Sequence, residues 1–131
     1  VVAGYSETPQ LKKLGMVPGA SWDLDAAPDG WSFETVPDAA SRAAGDAADV
    51  VVAFVRAAAE LEPAIARLER RVFPAGALWI AWPRKAGGHV SDVSENDIRD
   101  TALARGLVDV KVAAIDQDWS GLKLVWRREN R

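Results

Sequence analysis

GALWIAWPRK (residues 76–85), followed by SENDIRDTALARG (residues 94–106) and LVDVKVAAIDQDWSGLKLVWR (residues 107–127), decides the fold of this chain. From Gly76 to Trp82 the first stretch is an unbroken run of strand length, the pattern of a strand covered on both faces. Ser94 with Asp97 three residues on resembles a capping box that opens a helix, and Gly106 ends that helix. Two more strands follow, separated by a short turn that leaves no room for a crossover. The last strand therefore runs antiparallel to its predecessor.

Working back toward the start, DVVVAFV (residues 49–55) is a second continuous apolar strand. Leu61, Ile65, Leu68 and Val72 then recur at four, three and four residues, one buried stripe of a helix whose first turn must hold Pro63. ASWDLD (residues 20–25) reads as the first strand, with Trp22 and Leu24 on one face, and AAPDG (residues 26–30) as a turn. WSFETV (residues 31–36) is open between a short strand and a helical turn. Residues 37–48 read as a short helix plus a loop, and residues 86–93 as a loop. Near the start, Thr8 as N-cap with Pro9 at the first helical position opens a short helix that Gly15 closes. Strand and helix alternate, so the expected fold is α/β: a single mainly parallel sheet with helices on its faces and an antiparallel last strand. No internal repeat or long linker interrupts residues 1–131, which reads as one domain.

Composition narrows the function classes. The 131 residues suffice for one core, and 49% hydrophobic with 27% charged is ordinary for a globular protein. No apolar run approaches the roughly 18 residues of a membrane helix. Sixteen basic against nineteen acidic residues, a formal charge of −3, give no footprint for nucleic acid. The absence of cysteine excludes disulfide and thiol chemistry and suits a cytoplasmic protein. VVAGYSETPQ at the start shows no signal peptide, and beginning at Val1 suggests that a start residue or leader has been removed.

The order strand, helix, strand, tight turn, antiparallel strand resembles the closing segment of the class I S-adenosylmethionine methyltransferase variant of the Rossmann-like fold, here in a reduced form. The resemblance implies the spatial order 20–25, 49–55, 76–82, 121–128, 107–115. The chain also resembles a small bacterial family of unknown function that opens with GYS-x-TP-x-x-KKLG. Gly4, Tyr5, Ser6, Thr8, Pro9, Lys12, Lys13, Leu14 and Gly15 fit that signature, as do DVVVAFVR, GALWIAWPRK and GLVDVKVAAIDQDWSGLKLV. This second resemblance brings no activity with it.

A methyltransferase cofactor site is not expected. Where such enzymes carry a glycine-rich turn after the first strand, this chain has Asp25-Ala26-Ala27-Pro28-Asp29-Gly30, and Pro28 removes an amide donor. Between Asp25 and Asp49 there is too little chain for a helix, a strand and another helix. Glu34 is the one candidate for a ribose carboxylate, against the plainer reading of a surface Glu. No GxGxxG, GxxxxGK[ST] or GxSxG occurs. The single histidine, His89, sits in a Gly-rich loop without an evident partner, and one His with no Cys does not make a conventional zinc site. Asp116-Gln117-Asp118-Trp119-Ser120-Gly121 matches the opening of a calcium loop, but Arg127 stands at the twelfth position and the flanks read as strands. An ordinary hairpin turn, with Gly121 supplying a positive φ, is the expectation. No cofactor and no metal are expected.

What remains is a location. Sites in open α/β sheets gather at the carboxyl ends of the strands, which here carry Asp25, Arg56, Trp82, Arg84, Lys85, Asp116, Asp118, Trp119 and Ser120. Arg56, Arg84 and Lys85 could cradle a small anionic ligand, helped by Lys12 or Lys13 folding over the rim. Alternatively they pair with Asp25, Asp116 and Asp118 as rim salt bridges. Of the six tryptophans, Trp22, Trp79 and Trp126 are expected in the core, and Trp31, Trp82 and Trp119 at strand ends or turns. Two functions follow: a non-enzymatic binding or regulatory module, with homodimerisation through exposed apolar surface as an expectation; or a small enzyme or nucleotide- or anion-binding protein using the rim.

Overall fold

Apolar runs that the sequence marks as fully covered do become central strands. The computed structural model describes residues 9–131. In chain order its main elements are α1 (Gln10–Leu14), β1 (Ser21–Asp25), β2 (Ser41–Arg42), β3 (Val50–Phe54), α2 (Leu61–Leu68), β4 (Ala77–Pro83), α3 (Glu95–Ala104), β5 (Leu107–Ala114) and β6 (Trp119–Trp126). The strands form one six-stranded sheet in the order β2-β1-β3-β4-β6-β5. Its five longer strands follow the expected spatial order.

The sheet is mixed rather than mainly parallel. β1 pairs in parallel with β2 and β3, and β3 with β4, but β6 is antiparallel to both β4 and β5. Because β6 is inserted between two neighbours instead of lying at an edge, reversing this one strand converts two ladders at once. The sixth strand lies where a short helix was expected, in residues 37–48. Alanines favour helix locally, but β1 would otherwise expose a row of edge amides and carbonyls. The extended segment pairs the start of that edge, with the Ser41 amide donating to the Ala20 carbonyl and the Ala43 amide to the Trp22 carbonyl.

Helix ends follow their local chemistry. Ser94 Oγ accepts the Asp97 amide at 3.1 Å, and Gly106 after α3 has φ +90°. Gly15, at φ +70°, closes α1. The Thr8 cap lies outside the described residues. Pro9 is the residue before α1 and not its first helical one: its carbonyl accepts the Lys12 and Lys13 amides. Leu61, Ile65, Leu68 and Val72 are all buried, as their spacing requires, and Pro63 does sit in the first turn of α2.

Two cores result. On one face, Val51, Ala53, Leu78, Ile80, Leu122 and Leu124 pack beneath α2 and α3. On the other, Val50, Val52, Phe54, Trp79 and Ala81 are covered by the five-residue α1 and by irregular chain carrying Trp31 and Phe33. Helices were expected on both faces. Aromatic bulk substitutes for them on the second. Trp22, Phe33, Trp31, Phe54 and Trp119 form a chain of edge-to-face contacts, with centroids 5.1, 5.2, 4.9 and 4.9 Å apart. Such pairs contribute about 0.5–1.5 kcal/mol each beyond burial. Trp79 and Trp126 are core residues as expected, Trp22 is half-buried, and Trp119 is buried.

At the β2 side, Asp23 accepts Arg71 Nη2 at 2.8 Å and Arg42 Nε at 2.9 Å, tying β1 to β2 and to the turn at Glu69–Val72. Burial pushes its carboxyl up, but hydrogen bonds from Arg71, the Leu24 amide and Arg42 outweigh burial and hold it below its usual value. A depressed folded pKa means stability that is fully present above the unfolded value, about 3.9, and lost as pH falls through the folded one. The urea midpoint of the wild type should therefore exceed that of Asp23→Asn at pH 6, with the gap narrowing as pH falls below the unfolded value toward the depressed folded one. An equal gap throughout would show that the Asp23 charge contributes nothing. Among the described residues no helix is long and apolar enough to cross a membrane.

Candidate functional site

β1, β3, β4 and β5 end on one rim, where β6 begins. After β1 the chain turns outward to β2, then returns to the other side of β1 as β3, so the gap between β1 and β3 is the topological switch point at which open sheets bind ligands. A crevice of about 420 Å³ lies there, lined by Ala26, Phe54, Arg56, Glu60, Pro63 and Arg67 among others. The short connection after β3 brings α2 down at this end and so supplies the crevice with Glu60 and Arg67. Ala26, immediately after β1, adopts φ +55°, a left-handed conformation uncommon without glycine.

Charges in this crevice are asymmetrically used. Arg67 grips Asp25 through Nη2 at 2.5 Å and Nε at 3.3 Å. Arg56 holds the loop with its backbone: its amide donates to Glu60 Oε1 at 2.8 Å and its carbonyl accepts Ser91 Oγ at 3.0 Å. Its guanidinium lies 5.4 Å from the Trp119 ring centroid and forms no ion pair among the described residues. It is thus an exposed cation seated on an aromatic face.

A second crevice of about 370 Å³ is lined by Trp82, Arg84, Lys85, Ser91, Ser94 and Ser120, among others. Trp82 is half-buried and Lys85 exposed. Arg84 is buried, with Nη1 donating to the Gln117 carbonyl at 3.3 Å and its amide to the Asp118 carbonyl at 2.8 Å. His89 Nε2 lies 2.9 Å from Asp118 Oδ1, and a Cβ on Gly87 would collide with the Gln117 carbonyl oxygen. WPRK and DQDWSG are therefore two halves of one loop junction.

The turn itself is tighter than expected. Amides of Ile115 and Asp116 donate to the Trp119 carbonyl, so Trp119, Ser120 and Gly121 already belong to β6. Asp116 Oδ1 accepts the amides of Asp118 and Trp119, and Oδ2 accepts Trp31 Nε1 at 2.9 Å. This is an Asx-type turn with its carboxylate committed on both oxygens. Gly121 does not have a positive φ. It is required by proximity, since an added Cβ would meet Ile115 Cδ1 at 2.7 Å and Trp79 Cε3 at 2.9 Å. Among the described residues no three His, Cys, Asp or Glu side chains are grouped as a metal ion would require.

Lys13 does fold over the rim. Its Nζ donates to the Ala114 carbonyl at 3.0 Å, while Gln10 Nε2 donates to the Ile115 carbonyl and Gln10 Oε1 accepts the Glu34 amide. Burial pulls the Lys13 ammonium below its usual range, Glu34 opposes this, and the charges of Arg84 and Lys111 reinforce it. Lys12 is exposed. Glu34 thus sits against α1 residues, at the β5 end of the rim.

Of the residues singled out by sequence, Trp82, Arg84, Lys85 and Ser120 share one crevice; Arg56 lines the other, resting on Trp119, with Asp25 joined to it through Arg67. Asp116 and Asp118 line neither. The carboxylates take Arg67, Trp31 and His89 as partners. Sequence reasoning missed Glu60 and Arg67: Arg67 lies on α2, but Glu60 closes the short turn before it, outside the helix that the apolar spacing marks.

No curated protein matches the chain. Residues 32–128, which supply β2 through β6 and nearly all of both crevices, match the family described as "Protein of unknown function (DUF3052)". Since that match takes in most of the sheet and both covering helices, the chain belongs to the DUF3052 family.

Proposed function

We propose that the chain is a non-enzymatic binding module that holds a small anion in the crevice outside β1 and β3, built as one domain on a reduced methyltransferase-like sheet. The single observation that carries this reading is Arg56: an exposed guanidinium at the switch point, oriented by Trp119, beside Arg67. A planar cation fixed on a ring face is preorganised for a carboxylate or phosphate. The antiparallel β6 between β4 and β5 supports the methyltransferase-like topology, and β2 supports its reduction, being only two residues long. The rim carboxylates and His89 favour binding over catalysis, being committed to Arg67, Trp31, turn amides and each other. A small enzyme is the second reading, favoured by the left-handed Ala26, since strained residues gather at active sites.

Calorimetric titration with inorganic phosphate, adenosine 5′-monophosphate and S-adenosylmethionine tests the proposal. Phosphate and the monophosphate should give saturable heats, weakened about tenfold in Arg56→Ala, the loss of one charge-assisted contact. S-adenosylmethionine should give none. Phosphate binding untouched by Arg56→Ala overturns the site, and micromolar S-adenosylmethionine binding overturns the reduced-module reading.

A further inference from the structure

A third concavity lies away from the two rim crevices, on the aromatic face beside β1 and β2. It has a volume of about 350 Å³ and is lined by Trp22, Leu24, Trp31, Phe33, Val36 and Arg42, among others. That size is at the lower end for small-molecule sites, and the lining follows their pattern: apolar and aromatic walls with few polar groups. Among the described residues no carboxylate lines it.

Two residues that line it, Trp22 and Arg42, keep donors without acceptors. The indoles of Trp31, Trp79 and Trp126 donate to Asp116, to the Leu14 carbonyl and to the Glu69 carbonyl respectively. Trp22 Nε1 is buried with no hydrogen-bond partner, the one such side-chain atom among the described residues. A buried donor left unpaired is costly, and native proteins rarely keep one. Arg42 lies with its guanidinium 5.6 Å from the Trp22 ring centroid and gives its Nε to Asp23 at 2.9 Å. Its Nη groups donate to no acceptor among the described residues. One cavity therefore combines flat aromatic walls with a guanidinium that has donors to spare, and one of those walls, Trp22, carries a buried and orphaned N–H.

We propose that this cavity is a binding site for a small planar aromatic carboxylate. The ring packs edge-to-face among Trp22, Trp31 and Phe33, in the geometry those side chains already adopt with one another. The carboxylate supplies acceptors to the Arg42 Nη groups and a charge of the sign that Arg42 attracts, and a turn of the Trp22 ring that opens its buried edge brings Nε1–H to the same carboxylate. A cationic ring of the same shape offers no acceptor and meets the guanidinium with like charge. Trp22 packs edge-to-face on Phe33, so an N–H to ring contact within the protein is the competing account of the orphaned donor.

The probe is 2-naphthoate, with the 2-naphthylmethylammonium ion as the matched cation, followed by the indole N–H signals in proton–nitrogen correlation spectra. Naphthoate should shift the Trp22 indole N–H saturably downfield, and the ammonium should not. Trp22→Phe keeps the wall and removes the donor; Arg42→Met removes the charge. Each should weaken binding about tenfold. Val36→Trp, at a position 49% exposed and so tolerant of bulk, should fill the cavity and abolish binding. If Trp22→Phe fails to fold, Arg42→Met and Val36→Trp decide. Equal binding of the two probes, an unmoved Trp22 signal, or weakening by Arg56→Ala instead of Arg42→Met overturns the proposal, and none of these bears on phosphate at the rim.

Discussion

Gly121→Ala is expected to lower stability by about 2–3 kcal/mol, the upper part of the range for overpacking a filled core. The new methyl group would come 2.7 and 2.8 Å from Ile115 Cδ1 and Cγ1 and 2.9 Å from Trp79 Cε3. Ile115 and Trp79 are fully buried, and β6 is held by ladders on both sides, so neither the side chains nor the backbone can move aside. Left-handed geometry is not the cause, because Gly121 lies in regular strand. The two causes are separable by experiment. Ile115→Val deletes the Cδ1 atom and alone should cost about 1 kcal/mol. Combined with Gly121→Ala it should cost clearly less than the sum of the single changes, since atoms in collision are coupled. Urea denaturation of the wild type, both single variants and the double variant measures this, and strict additivity would refute the steric explanation.

That glycine marks the boundary of what the sequence could reveal. Residues 49–55 and 76–82 are central strands because their side chains are apolar on both faces, a property written locally. The stripe through Leu61 and Val72, the Ser94 cap and the Gly106 stop are local as well, and all appear in the structure. Local chemistry fails where the deciding partner is distant. Ser41 and Arg42 are polar and exposed, and become strand only because β1 has an open edge. Gln10 and Lys13 are buried by carbonyls at Ile115 and Ala114, about a hundred positions away, which no helix pattern announces. The same limit applies to the candidate site. Asp25, Arg56, Trp82, Arg84 and Lys85 could be placed at the carboxyl rim because each follows or ends a recognisable strand. Their division between two crevices could not, since it depends on how α2 and α3 settle over the sheet.

Trp31→Ala should be at least as damaging, at about 3–4 kcal/mol. Trp31 comes from a segment without regular structure, yet it contacts Phe33 at 5.2 Å and Phe54 at 4.9 Å and donates its indole N–H to Asp116. Removing it deletes the middle of the aromatic chain and strips Asp116 Oδ2 of its partner, while the 26–40 segment loses its anchor to the sheet. Trp31→Phe separates these contributions: the ring contacts remain and the hydrogen bond does not, so the loss should be about 1 kcal/mol. Acrylamide quenching supplies a second readout. With Trp31 absent, Trp119, buried beneath Phe54 and Arg56, should become more accessible to the quencher. The consequence reaches back to function. At the carboxyl end of this face the chain packs Trp31 and Phe33 beside Phe54 and Trp119. Trp31→Ala within about 1 kcal/mol of wild type, with Trp119 no more quenched, would mean that this segment merely lies on the sheet and that the space beneath it is available to a ligand after all.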